Sequence, residues 1–363
     1  MGNNILEIKH LRTQFFTQKG TIPAVDDVSI EIPERAIVGL VGESGCGKSM
    51  TAMSVMGLLR HPGKVVSGEI LLCGRDITHL PPREMAKIRG DEMSMIFQEP
   101  MTSLNPVTKV GKQVEEAILL HQSCSRREAK ERVIEMFREV GIPEAEKRYN
   151  AYPHQLSGGL RQRVMIAMAM ICRPRLMIAD EPTTALDVTI EAQILELFRR
   201  LRDEIGTSII LITHNMGVVA EVCDYVYVMY AGQVMEQAET FELFRNTQHP
   251  YTKGLLRSIP SLDEKVSRLY TIRGVVPNLL HLPAGCNFST RCDLCTGLCR
   301  DRQPELYEVA KGHKVRCFLC EGAAQETDGT QAPDVRTAEG QVADARIKAA
   351  PAKGAPDGGK ESA

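Results

Sequence analysis

The chain has 363 residues, of which 43% are hydrophobic and 25% charged; this composition fits about two or three domains with apolar cores and excludes disorder throughout. The 44 Lys and Arg nearly balance the 46 Asp and Glu, so no overall cationic field would hold nucleic acid or an anionic membrane surface. The longest charge-free apolar run near the centre, residues 164–172, is too short to cross a bilayer as a helix. The opening MGNNILEIKH also lacks the cationic and apolar regions of a secretion signal, so we expect a chain that stays in the cytosol.

Short apolar segments alternate with helical ones along the first two thirds of the chain. Apolar runs and alternating patterns predict strands at residues 24–32, 36–41, 93–97, 176–179 and 208–213, and a hairpin of residues 225–229 and 232–236. Helical periodicity is found at residues 125–140 and 190–205. This alternation predicts an α/β fold with a parallel sheet.

A glycine-rich segment follows the second predicted strand and precedes a helix. Its sequence GESGCGKS matches the P-loop pattern, in which backbone N–H groups wrap phosphates, the Lys binds the β- and γ-phosphates and the Ser hydroxyl binds Mg²⁺. The alternative is a chance glycine-rich turn, which the flanking strand and helix disfavour. The predicted nucleotide-binding residues here are Gly42, Ser44, Gly45, Cys46, Gly47, Lys48, Ser49 and Met50.

Two acidic residues end the apolar strand at 176–179. Asp180 at such a strand end, beside a P-loop, can hold the metal ion and its water shell, as in other P-loop ATPases. Glu181 is then placed to orient and polarise the attacking water. Alone, the pair could be two solvated acids, but the P-loop favours the catalytic interpretation.

A second device for binding phosphate lies between these two motifs. Ser157, Gly158 and Gly159 form a turn that opens an apolar helix, and the N–H groups at a helix start bind anions. If the two devices lie on separate lobes, they cannot hold the same nucleotide within one chain. The natural inference is two chains facing each other head to tail.

The order of these motifs identifies a family resemblance. A P-loop, Gln98 after a strand, the LSGG turn, the acidic strand end and His214 after another strand follow one another as in ABC ATPases. Residues from about 5 to 245 therefore resemble the nucleotide-binding domain of an ABC transporter. The resemblance implies a RecA-like core, an antiparallel β subdomain, and a helical subdomain at about residues 99–168.

Roles for further residues follow from this resemblance alone. It implies that Phe15 stacks on adenine, with Phe16 as a weaker candidate and a plain core role as the alternative for either. Gln98 would contact the metal and the attacking water, and Asp187 would belong to the loop Ala185-Leu186-Asp187 at a dimer interface. His214 would contact the γ-phosphate, although a histidine after a buried strand is often only structural.

The signature turn departs from the family pattern at one residue. Leu160 replaces the usual Gln, and an apolar residue there resembles the peptide-importer branch of the family. The Ser and Gly donors are intact, so both halves of an ATP site are present in one sequence. A homodimer and a pair with a paralogue both remain open.

After residue 247 the sequence becomes rich in Pro, Gly and Cys. HPYTKGLL and IRGVVPNLLHLPAGCNFSTRC resemble the C-terminal extension of dipeptide and oligopeptide importer ATPases. That resemblance implies a small Cys-rich domain at residues 248–322 after an ATPase domain at 1–247. It also implies four ligands of a four-iron four-sulfur cluster: Cys286, Cys292, Cys299 and Cys317.

Because of two additional cysteines, the identity of the metal stays open. Cys295 and Cys320 create two C-x-x-C pairs, with Cys292 and Cys317, close to the spacing of a zinc ribbon. Zn²⁺ is therefore the alternative to the cluster, and free or oxidisable thiols are a third. Residues 323–363 contain no Leu, Met, Phe, Tyr or Cys, so we expect a disordered tail.

The function indicated is ATP hydrolysis that powers peptide import. The expected partners are a second ABC ATPase subunit, two integral membrane permease subunits and an extracytoplasmic substrate-binding protein. The permeases are expected to dock on the helical lobe between Gln98 and Pro153, where residues 99–106 resemble the importer pattern. The chain would then lie at the cytoplasmic face of the membrane as a peripheral subunit. Alternatives are import of nickel or another small solute and, from another class, an ABC ATPase acting on nucleic acid, which the balanced charge disfavours. A catalytically silent subunit is disfavoured because Glu181 and His214 are present.

Overall fold

The computed structural model describes residues 4–98, 103–184, 186–259 and 270–322. The predicted tail at 323–363, Ala185 of the predicted interface loop, and residues 99–102 of the predicted docking segment lie outside the described residues. Twelve strands lie within the described ranges: β1 (Asn4–Thr17), β2 (Gly20–Pro33), β3 (Ile37–Val41), β4 (Gly63–Leu72), β5 (Arg75–Asp76), β6 (Met93–Ile96), β7 (Leu176–Asp180), β8 (Ser208–Thr213), β9 (Tyr225–Tyr230), β10 (Gln233–Glu239), β11 (Tyr307–Ala310) and β12 (His313–Val315).

The larger of two sheets has eight strands in the order β11-β12-β10-β9-β3-β8-β7-β6. Strands β9, β3, β8, β7 and β6 run parallel to one another. All residues of β3, β7 and β8 are buried, as expected for a parallel sheet covered on both faces. The predicted parallel sheet is therefore confirmed, and the carboxyl ends of its strands bring the P-loop, Asp180 and His214 to one edge.

A smaller antiparallel sheet has the order β2-β1-β4-β5. Only the β2 part of it, residues 24–32, is predicted from the sequence pattern. Strand β1 escapes prediction because its pairing with β2 shifts register between Ile8 and Leu11 and again between Leu11 and Thr13. Each such irregularity breaks the period-2 alternation by which a strand is detected.

Helices pack against both sheets, and the helices that lie between β6 and β7 in sequence pack largely against one another. The helix predicted at 125–140 is confirmed at Arg126–Glu139, where Ser125 and Glu128 form a capping box. The helix predicted at 190–205 begins at Val188 and ends in a π-helical segment, Leu201–Ile205. The helices of the described residues are Lys48–Val55, Pro82–Ile88, Val110–His121, Arg126–Glu139, Ala145–Arg148, Gly158–Met170, Val188–Arg200, Met216–Val222, Thr240–Arg245, Pro250–Arg257 and Gly297–Asp301.

None of the helices in these described ranges combines the length and the apolar character that crossing a bilayer requires. The longest α-helix among them, Arg126–Glu139, has 14 residues, and Val188–Arg200 has 13 that are continued by a π-helical segment of 5, whereas a spanning helix needs about 20.

The C-terminal part of the chain packs on one end of the larger sheet. Strand β12 pairs with β10 and β11 pairs with β12, both antiparallel, so these strands extend that sheet. The rings of Tyr230, Tyr251 and Phe288 meet at centroid distances of 4.7–5.4 Å in a buried aromatic cluster. The predicted hairpin is confirmed as β9 and β10. We refer to residues 286–320 as the cysteine lobe.

Candidate functional site

The P-loop joins β3 to the helix Lys48–Val55, and its glycines are required by close backbone contacts. A Cβ on Gly42 would lie 2.2 Å from the Met229 carbonyl oxygen, and one on Gly47 would lie 2.5 Å from the Ala24 carbonyl oxygen. Both glycines have positive φ, 149° and 108°, which side chains disfavour. Gly47 occupies the N-cap without a side-chain cap, so the first N–H groups of the helix face the loop, as in phosphate sites.

Lys48 is buried and lies across the P-loop. Its Nζ donates hydrogen bonds to the carbonyl oxygens of Gly42, at 2.7 Å, and Glu43, at 3.1 Å. The side chain is only 5% exposed, so its charge is held close to the loop. This position matches the predicted role of a cation for the β- and γ-phosphates.

Asp180 ends β7 directly beside the P-loop helix. Its side chain is buried, and Oδ1 has no hydrogen-bond partner among the described residues. Burial raises the pKa of Asp180, and the neighbouring Glu181 charge raises it further, while Ser49 and Lys48 act in the opposite direction. An orphaned carboxylate oxygen next to a hydroxyl fits the oxygen ligands that Mg²⁺ prefers.

Glu181 lies at the centre of a hydrogen-bonded cluster. Gln98 Nε2 and Thr184 Oγ1 donate to Oε2 at 2.9 and 3.1 Å, and His214 Nδ1 lies 3.3 Å from Oε1. Residues from three separate parts of the chain thus converge on one carboxylate. The structure brings together the predicted Gln98, Glu181 and His214, and it adds Thr184.

The environment of Glu181 favours the ionised carboxylate. Burial opposes ionisation, but the hydrogen bonds from His214, Gln98 and Thr184 outweigh burial and lower the pKa of Glu181. The backbone of Glu181 is also unusual, because its φ of 47° lies in the left-handed region. Its N–H donates to the Ile212 carbonyl oxygen at 2.9 Å, which holds this conformation against the end of β8.

The signature turn lies at the start of the helix Gly158–Met170. Ser157 is the N-cap residue, and Gly158 is exposed. A Cβ on Gly159 would lie 2.9 Å from Cγ2 of Ile190, so the turn packs against the helix Val188–Arg200. Asp187 caps that helix by accepting from the Ile190 N–H at 2.9 Å. The structure therefore places the signature turn beside the predicted interface loop.

Phe15 lies on β1, in the smaller antiparallel sheet. It pairs with Ile22 and Gly63, and a Cβ on Gly63 would lie 2.7 Å from Cε1 of its ring. Phe15 is half-buried, whereas Phe16 is 49% exposed. The adenine-stacking role of Phe15 stays a prediction.

The four cysteines predicted as cluster ligands line one pocket of the cysteine lobe. Apolar side chains such as Phe288, Phe318 and Leu319 complete the wall. Within the described part of the chain, no three His, Cys, Asp or Glu side chains are arranged to hold a single metal ion. The lining cysteines are Cys286, Cys292, Cys299 and Cys317.

The pocket distinguishes two sets of thiols. Cys295 and Cys320, which the zinc alternative requires, are not among its lining residues within the described chain. Burial raises the pKa of Cys286 and of Cys292 to about 11, so these thiols need a bound cation to ionise at neutral pH.

Two features of the site were missed by sequence reasoning. Thr184 lies three residues after Glu181 in the turn that follows β7, and this proximity in sequence could have suggested the contact. The second is the ion pair between Arg291 of the cysteine lobe and Glu43 of the P-loop, 248 residues apart in sequence. Local sequence patterns do not indicate a pairing over that separation.

Comparison with known proteins agrees with this geometry. Residues 25–184 match the family model described as ABC transporter, and residues 235–299 match the model described as oligopeptide/dipeptide transporter, C-terminal region. The oligopeptide transport ATP-binding protein AppD of Bacillus subtilis is 50% identical over 325 residues, covering 89% of this chain and 99% of AppD. The oligopeptide transport ATP-binding protein OppD of Salmonella typhimurium is 48% identical over 317 residues, covering 87% of this chain and 94% of OppD.

Solved structures support the same assignment. The dimeric structure of MJ0796, a bacterial ABC transporter cassette, is similar with a TM-score of 0.59 at 28% identity, covering 65% of this chain and 98% of that one. A post-hydrolysis state of the same cassette, bound to ADP and Pi, matches with the same TM-score at 27% identity. The fold is therefore that of an ABC ATPase cassette. The chain belongs to the ATP-binding proteins of the oligopeptide/dipeptide ABC transporter family.

Proposed function

We propose that this chain is the ATP-hydrolysing subunit that powers peptide import through an ABC transporter. The observation that carries this function is the convergence of Gln98, Thr184 and His214 on Glu181, one residue after the buried Asp180. A carboxylate held ionised beside a P-loop is suited to activate water against a terminal phosphate. The match of residues 235–299 to the peptide transporter C-terminal region supports peptides as the cargo of the complex.

Nucleotide binding is assigned to the P-loop and the adjacent strand end. Lys48 and the loop N–H groups bind the phosphates, while Ser49 and Asp180 hold Mg²⁺. When bound, the metal neutralises charge on the phosphate oxygens. The unpartnered Oδ1 of Asp180 supports this assignment. Phe15 is proposed to stack on the adenine ring.

Hydrolysis is assigned to Glu181 and the residues that touch it. Glu181 accepts a proton from the attacking water. Gln98 Nε2 holds Oε2, which fixes one side of the carboxylate toward the metal site. His214 is 63% exposed at its side chain, so it is free to contact a γ-phosphate while its Nδ1 remains near Glu181.

The second half of each ATP site is proposed to come from another ABC ATPase subunit. The exposed Ser157 and Gly158 are suited to cap the γ-phosphate held by that subunit, and Asp187 lies beside them. Two permease subunits would dock on the helical lobe between Gln98 and Pro153, and an extracytoplasmic binding protein would deliver peptide to the permeases. The chain would then be peripheral at the cytoplasmic face, with an ATPase domain at 1–247.

The cysteine lobe, within the proposed domain at 248–322, is assigned a structural four-iron four-sulfur cluster. One pocket lined by Cys286, Cys292, Cys299 and Cys317 supports this assignment over zinc. When bound, the cluster would ionise the four thiols and cross-link a lobe with little apolar core. An anaerobic preparation with iron and sulfide in equal amounts is expected, whereas a colourless protein with stoichiometric zinc would overturn the assignment.

Reconstitution tests the transport function. The chain is purified with its permeases and the second ATPase subunit, placed in vesicles, and supplied with binding protein and Mg-ATP. We expect ATP hydrolysis to rise, and labelled peptide to accumulate, when peptide-loaded binding protein is added. Stimulation by Ni²⁺ or by nucleic acid, with no response to peptide, would contradict the proposal.

A further inference from the structure

A buried arginine of the cysteine lobe forms a bidentate ion pair with the P-loop. Arg291 Nη1 donates to Oε2 of Glu43 at 2.5 Å, and Nη2 donates to Oε1 at 3.1 Å. The Arg291 side chain is only 3% exposed, and that of Glu43 is 28% exposed. A two-pronged contact of this kind fixes orientation as well as distance.

Residues outside the cysteine lobe hold the other side of the same guanidinium. Arg291 Nε donates to the Arg273 carbonyl oxygen at 2.9 Å, and Nη2 donates to that of Ile272 at 3.3 Å. The guanidinium also lies over the Tyr230 ring, 5.7 Å from its centroid. The contacts with Ile272, Arg273 and Tyr230 hold Arg291 in place, so that Arg291 in turn sets the position of Glu43.

One more contact ties the C-terminal part of the chain directly to this loop, and another does so through Ala231 and Gly232. The Glu43 N–H donates to the Tyr251 hydroxyl oxygen at 2.9 Å, so both the backbone and the side chain of Glu43 are bound. Asn287 Nδ2 donates to the Ala231 carbonyl oxygen at 3.1 Å. The next residue, Gly232, donates its N–H to the Cys46 carbonyl oxygen of the P-loop at 2.9 Å.

We propose that Arg291 is a positioning residue for the ATP site: through its ion pair with Glu43, the cysteine lobe holds the P-loop in the shape that binds nucleotide phosphates. Glu43 directly follows Gly42, whose carbonyl oxygen accepts from Lys48. A displaced Glu43 would therefore move both the start of the phosphate-binding loop and the partner of its lysine. The inference rests on the proposed function, because it concerns the same ATP site.

The chemistry of the ion pair predicts that ATP binding depends strongly on both Arg291 and Glu43. Removing one member of a buried ion pair leaves the other as an uncompensated charge. Arg291→Gln would leave Glu43 free to turn away from the lobe. Glu43→Gln would remove the charge from the P-loop side without altering any residue of the lobe. Both variants should therefore weaken ATP binding through the same loop movement.

The experiment measures ATP affinity and hydrolysis in the full chain within its transporter complex. A fluorescent ATP analogue gives Kd, and phosphate release gives kcat and KM. We expect Arg291→Gln and Glu43→Gln each to raise Kd and KM about tenfold, about 1.4 kcal/mol, with a smaller fall in kcat. The double variant should be no worse than either single variant, and Arg291→Lys should be intermediate because it keeps the charge without the fork.

A matched control lies in the same lobe. Arg316 is as buried as Arg291, because each whole residue is 8% exposed, and each directly precedes a lining cysteine. Arg316 donates to the carbonyl oxygens of Val234 and Pro304 and pairs with Asp27 at 3.7 Å, and it forms no hydrogen bond or ion pair with Glu43 within the described residues. Arg316→Gln should lower the unfolding temperature but change Kd by less than about twofold.

The possible outcomes distinguish loss of the Arg291–Glu43 ion pair from general destabilisation of the cysteine lobe. Unchanged Kd in a folded Arg291→Gln, single-variant effects that multiply in the double variant, or an equal loss in Arg316→Gln would each overturn the inference. If Arg291→Gln does not fold, the Kd of Glu43→Gln decides. A wild-type complex that neither binds nor hydrolyses ATP would instead contradict the proposed function.

Discussion

Replacing Glu181 by Gln keeps the length of the side chain and removes the charge on which three neighbours converge. Gln98 and Thr184 both donate to Oε2, and His214 Nδ1 lies 3.3 Å from Oε1. An amide offers one acceptor oxygen and one NH₂ group, so it cannot accept from both sides as the carboxylate does. The Glu181→Gln variant therefore lacks the proposed general base, and at least one of these three contacts becomes unfavourable.

The size of the effect follows from the role of the carboxylate. General base catalysis contributes about 10²–10⁴-fold, so we expect kcat to fall by about that factor, or about 3–5 kcal/mol in activation free energy. Lys48 and the P-loop backbone, which hold the phosphates, are unchanged. We therefore expect Kd for ATP to change by less than about threefold, about 0.7 kcal/mol.

The assay is phosphate release by the reconstituted complex at saturating Mg-ATP, together with equilibrium binding of ATP. Glu221→Gln is the matched control, because Glu221 is a surface residue that pairs with Arg199 and is 48% exposed. We expect this control to hydrolyse ATP like the wild type. A Glu181→Gln complex that retains more than a tenth of wild-type kcat would refute the assignment of Glu181 as the base.

Three further predictions test separate parts of the site. A Cβ on Gly42 would lie 2.2 Å from a carbonyl oxygen, whereas a Cβ on Gly45 meets nothing within 4 Å. Titration calorimetry should therefore show that ATP affinity is lost in Gly42→Ala. Gly45→Ala should carry only the cost of the left-handed backbone, roughly 1–2 kcal/mol. Because hydrogen bonds lower the pKa of Glu181, the base is ionised at pH values below the ordinary glutamate range; Gln98→Leu raises that pKa and should move the acid limb of the kcat profile to higher pH, and an unmoved limb would contradict this. Cys292→Ser should lose iron and sulfide on analysis, whereas Cys295→Ser, outside the pocket, should retain both.

The parallel sheet could be predicted because its strands are short, mostly apolar and, in β3, β7 and β8, wholly buried. Residues 208–213 match β8, and residues 176–179 fall one residue short of the end of β7 at Asp180. The antiparallel sheet is harder to predict, because the shifts in the register of β1 make the spacing of its buried side chains irregular. Tertiary pairing, rather than local periodicity, determines which residues of such a strand are buried.

The site followed from the sequence where its residues belong to local motifs. The P-loop, Asp180 and Glu181 each lie at the end of a buried strand, so their convergence at one sheet edge follows from parallel topology. Arg291 carries no such signal, because it is one of 44 basic residues and its partner lies in another part of the chain. Only the fold brings those two charges together.

The arrangement of contacts bears on the proposal that each ATP site is completed by a second subunit. Glu181 is joined to Gln98, Thr184 and His214 by contacts within the chain, so the hydrolytic half is assembled internally. Gly158 of the signature turn is instead exposed, and the turn packs on the helix that Asp187 caps. Helix N-termini attract anions, so an exposed one beside an interface loop is suited to a phosphate held by another subunit. Under the proposed function, ATP bound between this chain and a second ABC ATPase subunit would draw the two together, and hydrolysis at Glu181 would remove the group that joins them.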